Sequence, residues 1–287
     1  MEVINIALEQ IANKSKQKQI FTEYDFFEEY FNTFNNSDKF LQNTKNSLDK
    51  IDKEEILNIT ETLKERVQYK LEYIIKDTDL NLFPGLITFI GDGSWDGHGI
   101  IVNDNSYVYF DLAAVKRDIE NYNLDTYVTH ELIHPIHYGS EITFYPGEYE
   151  TVKDKYLKRL IAEGLATFLG DHYCDYNIRE SYWLGLLEAK DVDKWVDNCR
   201  AEKDQIGKRL QEQIINNEFD RNLFYQLFAV TSSEYVRHRF GYYYGTQIVK
   251  NVFEEKTIAE LINMHFNEYE EYIYKYFNLQ NNVRHIT

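Results

Sequence analysis

The sequence predicts an α+β protein, mostly helical, with a small sheet placed just before a metal-binding helix and a helical C-terminal half. Three observations carry this expectation. Apolar residues recur at spacings of three and four over long stretches on both sides of the centre, as in amphipathic helices. Short β-branched and aromatic runs broken by Gly, Asp, Asn and Ser cluster between residues 86 and 110 and read as strands. They are followed by Tyr127-Val128-Thr129-His130-Glu131-Leu132-Ile133-His134. On a helix, His130 and His134 lie one turn apart on one face, where both imidazoles can meet a single metal ion, with Glu131 beside them.

Composition sets the outer bounds. At 287 residues the chain is long enough for a sizeable core, as one large domain or two small ones. Hydrophobic content of 43% with 16% aromatic residues argues for a folded globule. A net charge of −17 without a long basic cluster argues against nucleic acid and anionic membrane surfaces as partners. Residues 1–20 contain Glu2, Glu9, Lys14, Lys16 and Lys18 and are not expected to act as a secretory signal. No stretch is apolar for long enough to span a bilayer, so a cytoplasmic location is expected. Cys174 and Cys199, without CxxC spacing, are expected to be free thiols.

The elements follow in order. In residues 21–34, Thr22 is a candidate cap, and Phe26, Phe27, Tyr30, Phe31 and Phe34 fall at helical spacing, as a core stripe. From 49 to 76, Ile56, Ile59, Leu63, Val67, Leu71 and Ile74 mark one long amphipathic helix. Residues 1–80 are thus expected to form a helical N-terminal region, with 77–81 as its polar boundary. Pro84-Gly85 then turns the chain into short strands at 86–90, 100–102 and 107–110. The glycine-rich segment 91–99 lacks the GK[ST] ending of a phosphate loop, and its His98 is expected at the surface.

In the metal-binding helix, Leu124, Val128 and Leu132 form a buried face. Pro135 removes the N–H that would bond the Glu131 carbonyl, so the helix is expected to kink or stop there. That weakens the case for His137 as a third imidazole ligand. The metzincin pattern fails, because its glycine and third histidine positions hold His137 and Ser140. The segment 138–150, with Gly139, Pro146 and Gly147, is expected to lie over the site. Downstream, Glu163 is a lone carboxylate among Leu157, Leu160, Ile161, Leu165, Phe168 and Leu169. Such a group needs a partner, and a metal held with His130 and His134 would be that partner. Asp171 and His172 are candidates for orienting the ligands, or simply a solvated helix end.

The rest of the chain reads as successive helices, with Thr257 and Glu260 as a capping box for a late one. Between 235 and 245, Tyr, His and Arg side chains are available as extra donors to a developing oxyanion, with His238 and Tyr243 as the chosen candidates.

The pattern His130-Glu131-Leu132-Ile133-His134 followed by Glu163-Gly164-Leu165-Ala166 resembles the gluzincin clan of zinc metallopeptidases. The segment 241–249 is similar to one in the YjaZ-like family of predicted bacterial zinc-dependent proteases. The resemblance covers roughly residues 81–265. It implies a zincin-like metallopeptidase domain over 81–287, with the sheet and active-site helices in 81–170 and a helical part in 171–287. It also implies an edge strand near the zinc that pairs with the substrate backbone. Residues 97–102 are the candidate, with Gly99 and Ile100 as the expected substrate-binding positions, because glycines permit close backbone approach; a flexible hairpin connection is the equal alternative for this segment.

The expected activity is zinc-dependent hydrolysis of a peptide bond in a peptide or protein substrate. Zn²⁺ is held by His130, His134 and Glu163, and Glu131 is the general base to a metal-activated water. Two other readings share the residues: a non-catalytic protein of the same fold that binds a partner, and a zinc hydrolase for a non-peptide amide or ester.

Overall fold

Four strands and fourteen helices make up the protein in a computed structural model that describes residues 1–35, 38–174, 178–230 and 232–279. Residues 175–177, 231 and 280–287 of the expected 171–287 region lie outside the described residues. The chain starts with β1 (Val3–Asn5), α1 (Ile6–Ala12), α2 (Gln17–Glu23), α3 (Asp25–Thr33), α4 (Phe40–Leu48) and the long α5 (Lys53–Thr78). It continues through β2 (Gly85–Phe89), β3 (Gly97–Val102), β4 (Asn105–Asp111), α6 (Leu112–Asp118), α7 (Leu124–Ser140) and α8 (Val152–His172). Then come α9 (Ile178–Trp183), α10 (Ala189–Asn216), α11 (Arg221–Phe228), α12 (Phe240–Phe253), α13 (Ile258–Asn263) and α14 (Phe266–Phe277). The α+β class, dominated by helix with a small sheet, agrees with the sequence. No helix among the described residues is long and apolar enough to cross a membrane.

The sheet has the order β1-β2-β4-β3. β1, β2 and β4 run parallel, and β3 is an antiparallel edge strand with His98 opposite Tyr109. β1 is three residues long, too short for a pattern of period two to show in the sequence. Its pairing of Val3 with Leu86 makes the first residues part of the same sheet as the strands beyond residue 80. The aromatic stripe follows suit: Phe26, Phe27 and Tyr30 on α3 are buried against Phe89 and Tyr109 of the sheet. Side chains from both sides of the expected boundary at residue 80 therefore share one core. Thr22 does not cap that helix. It lies inside α2, where its hydroxyl donates to the Gln19 carbonyl, and α3 starts after Tyr24.

Two helix starts show the local code at work. α5 begins with a capping box in which Asp52 and Glu55 satisfy each other's backbone N–H groups, and it buries Ile56, Leu63, Val67, Leu71 and Ile74. α8 begins the same way with Thr151 and Asp154. The expected box at Thr257 and Glu260 is also present, at the start of α13.

α7 does not stop at Pro135 but runs on to Ser140. The lost backbone bond is outweighed by packing, since Ile136, His137 and Tyr138 of the last turn are all buried. Strand β3 lies directly on this point. A Cβ on Gly99 would sit 2.5 Å from the Pro135 nitrogen and 2.8 Å from the His134 carbonyl carbon. The smooth, N–H-free surface at Pro135 thus receives a glycine backbone, which fixes β3 against α7.

Candidate metal centre

α7 is buried almost along its whole length, which puts His130, Glu131 and His134 at 2%, 6% and 1% exposure. α8 packs across it and brings Glu163, 2% exposed, to the same place. Glu163 Oε2 lies 3.4 Å from His130 Nε2 and 3.6 Å from His134 Nε2. Ligands about 2.0–2.2 Å from a tetrahedral ion stand about 3.3–3.6 Å apart, which is the spacing of Glu163 from each histidine, and the three donors all lie within 4.8 Å of one another. His134 Nε2 has no hydrogen-bond partner among the described residues, and neither does His130 Nδ1. The unpartnered His134 Nε2 faces Glu163, where a cation would meet its lone pair; His130 Nδ1 lies on the other side of its ring.

The electrostatics agree with a ligand role. Burial drives the His130 imidazole down to about 4, so it is neutral and its lone pair is free. Burial pushes the Glu163 carboxyl up, but His130, His134 and Arg159 outweigh it and hold the group well below the usual carboxylate range. Arg159 sits one turn before Glu163, with its Nε 3.5 Å from Oε1, and so faces the carboxylate oxygen turned away from the histidines. The rings of Trp95, Phe224 and Phe228 surround its guanidinium at 5.1–5.7 Å.

A second chain of polar groups links His134 to Glu131. The Tyr138 hydroxyl is 3.3 Å from His134 Nδ1 and 3.1 Å from His98 Nε2, and His98 Nδ1 is 3.6 Å from Glu131 Oε2. The expectation of a surface His98 is therefore overturned: it is 5% exposed, because the pleat of β3 points it inward onto His134. His98, Glu131 and His134 form a second, overlapping group of three donors. Burial, then Asp96 and Glu163, raise the Glu131 carboxyl well above its ordinary range, and its Oε2 accepts no hydrogen bond from a described residue.

A cavity of about 590 Å³ opens onto these groups, lined among others by Gly97, His98, Arg159, Phe228, Arg239 and Tyr242. This is the size of an ordinary small-ligand site. Several expected residues lie elsewhere. Gly99 and Ile100 do not line it, since Gly99 is pressed on Pro135 and Ile100 is fully buried; the same strand reaches the cavity two residues earlier, at Gly97 and His98. His238 points away, near the Tyr225 carbonyl and Glu234. Tyr243 faces the opposite side of α12, where it accepts from Arg200 and packs on Tyr182 and Trp195.

His137 is buried against Phe144, outside both donor groups. Asp171 and His172 lie at the far end of α8, with Lys250 as the charge beside Asp171. The segment 138–150 packs behind the site: its Phe144 and Tyr145 are buried in the core, and it is not part of the cavity lining.

In place of Tyr243 and His238, their neighbours Tyr242 and Arg239 line the cavity. The Tyr242 ring is stacked on the His130 imidazole, 5.8 Å away at 19°, and its hydroxyl bonds no described residue. Asp96, half-buried and bonded by the Tyr122 hydroxyl at 2.6 Å, completes the wall near Glu131. Arg239 and Tyr242 fall within the 235–245 stretch that the sequence singles out, and Arg159 carries a signal of its own, its spacing of four from Glu163. No family model matches the chain, and no curated protein or solved structure matches it either.

Proposed function

We propose that this protein is a zinc-dependent metallopeptidase with a zincin-like arrangement of its two site helices, as the resemblance to gluzincins and to the YjaZ-like family implies. The observation that supports this best is the convergence of His130 Nε2, His134 Nε2 and Glu163 Oε2 at the wall of a cavity that also holds an unpartnered Glu131 oxygen. Two imidazoles and one carboxylate in tetrahedral spacing are a donor set suited to zinc. Bound there, zinc would supply Lewis acidity, polarising a carbonyl and easing the loss of a proton from water.

The chain's own residues do the rest. Glu131 takes the proton of the attacking water as the new C–O bond forms, then gives it to the departing amine as the C–N bond breaks. His98 and Tyr138 hold Glu131 and His134 in place through one connected set of contacts. Arg159 fixes the far oxygen of Glu163. The free hydroxyl of Tyr242 is the donor offered to the developing oxyanion.

Metal analysis beside a peptide-library cleavage assay tests this reading. Zinc near one equivalent is expected in the wild type and in Glu131→Gln, with turnover lost in the latter. Undiminished cleavage by pure Glu131→Gln protein, or zinc-free protein that cleaves, removes the assignment.

A further inference from the structure

Arg239 combines three features that each cost stability. Its guanidinium is buried, with the residue 1% exposed, and Nη2 has no hydrogen-bond partner among the described residues. Its backbone is left-handed, at φ 64°, which a non-glycine residue adopts only under constraint. It also stands at the N-cap of α12, where the helix dipole repels a cation. The side chain is nevertheless held firmly: Nε donates to the Tyr182 carbonyl at 2.7 Å, and the guanidinium lies 3.7 Å from the centre of the Tyr242 ring. That ring is the one stacked on His130. Arg239 is thus a fixed cation on the cavity wall, one aromatic ring away from a metal ligand.

The charge of the cavity points the same way. Its charged lining consists of Arg117 and Asp118, which pair with each other, and of Asp96, Glu131, Glu163, Arg159 and Arg239. Arg159 faces Glu163. Asp96 and Glu131 sense Arg239, but the free Nη2 bonds neither of them. With a divalent cation on the histidines the positive charges outnumber the negative ones, inside a chain of net charge −17. Beside this polar wall stand Leu184, Leu186, Phe228 and Val230. An anion at Arg239 would meet both a guanidinium fork and a helix N-terminus.

We propose that Arg239 anchors a carboxylate of the substrate, so that the peptides accepted are short ones carrying a carboxylate together with an apolar side chain. The inference rests on the peptidase reading for the identity of the ligand as a peptide. The carboxylate can be the free C-terminus or an acidic side chain, and the test separates the two.

Calorimetric titration of zinc-loaded Glu131→Gln protein with N-acetylated peptides of one apolar sequence serves here: the free acid, the C-terminal amide, and the amide with one Glu. The acid, or the Glu-containing amide, is expected to bind about 10- to 100-fold more tightly than the plain amide, the effect of a charge-assisted bidentate contact. Adding Arg239→Gln is expected to bring that ratio close to one, and Arg239→Lys to recover only part of it, since lysine keeps the charge but loses the fork. Equal binding of all three peptides, no binding of any, or an equal loss for all three on Arg239→Gln would overturn the proposal. The comparison in Glu131→Gln alone needs no change at Arg239 and so does not depend on that variant folding. Tight, Arg239-dependent binding by a protein that never cleaves these peptides when Glu131 is intact would leave the anchor standing and remove the peptidase reading instead.

Discussion

Gly164 and Gly245 touch backbone to backbone. A Cβ on Gly245 would lie 2.0 Å from the Leu160 carbonyl oxygen and 2.8 Å from the Gly164 Cα, and a Cβ on Gly164 would lie 2.2 Å from the Gly245 carbonyl carbon. Neither glycine has a positive φ, so room is what both supply. This contact sets α8 and α12 together, and with them Glu163, the residue before Gly164, and Tyr242, one turn before Gly245. The glycine in Glu163-Gly164-Leu165-Ala166 is therefore explained by the crossing of two helices.

Gly245→Ala is expected to push the helices apart, because the obstacle on each side is backbone and cannot rotate away. Overpacking of this kind costs about 1–3 kcal/mol, which lowers Tm by roughly 2–12 °C in a chain of this size. Zinc affinity should fall with it, since Glu163 moves relative to the histidines. A thermal melt and a zinc titration check both, and an unchanged Tm with unchanged affinity would show that the crossing yields without cost.

The candidate site's central residues were legible in the sequence, and their surroundings were not. His130, Glu131, His134 and Glu163 carry a spacing or a chemical anomaly that survives without coordinates, as does the capping box at Thr257. His98 carries no such mark. Its burial follows from β3 lying on Pro135, a contact between segments far apart in the chain. Tyr242 and Tyr243 are chemically identical in sequence, and only the rotation of α12 about its axis decides which one faces the cavity. β1 was hidden by its length, and its pairing with β2 joined a region that composition had set apart.

His137 makes a pH-dependence test that avoids the ligands. Burial pushes its imidazole down to about 3 from 6.5, and neither ring nitrogen has a hydrogen-bond partner among the described residues. Folded protein keeps it neutral, while unfolded chain takes up a proton below about 6.5. Stability from this group is therefore whole above pH 6.5 and is lost as pH falls towards 3, at about 1.4 kcal/mol per pH unit. His137→Leu removes both the penalty and two unsatisfied polar atoms. Urea unfolding at pH 7, 6 and 5 should show a flatter decline for the variant, with equal or higher stability at pH 5. A decline parallel to wild type would mean that His137 is protonated in the folded state.

The two overlapping donor groups make opposite predictions. A metal held by His130, His134 and Glu163 is lost in Glu163→Ala and retained in His98→Ala, and a metal held by His98, Glu131 and His134 behaves the other way. We expect the first pattern, because Glu163 faces both Nε2 atoms at tetrahedral spacing and is kept ionised by its neighbours. Removing zinc with a chelator should lower the wild-type Tm and leave that of Glu163→Ala unchanged, since binding to the folded state alone adds RT ln(1 + [L]/Kd) to stability. Elemental analysis of the three proteins decides between the groups.

Tyr242 and Tyr243 allow the catalytic assignment to be tested within one dipeptide. Tyr242 lines the cavity above His130 with a hydroxyl that bonds no described residue, whereas the Tyr243 hydroxyl accepts from Arg200 on the outer side of the helix. Tyr242→Phe keeps the stacked ring and removes only the donor, so kcat should fall about 100- to 1,000-fold while zinc content stays the same. Tyr243→Phe loses one part-buried hydrogen bond, which costs about 1 kcal/mol of stability and leaves kcat within a few-fold of wild type. The contrast matters more than either value, because both changes delete the same atom from the same residue type. A large loss of kcat in Tyr243→Phe with none in Tyr242→Phe would mean that α12 turns its other face to the substrate during catalysis. Equal, small losses in both would place the oxyanion donor elsewhere on the wall, with Arg239 the nearest remaining cation to the Tyr242 ring.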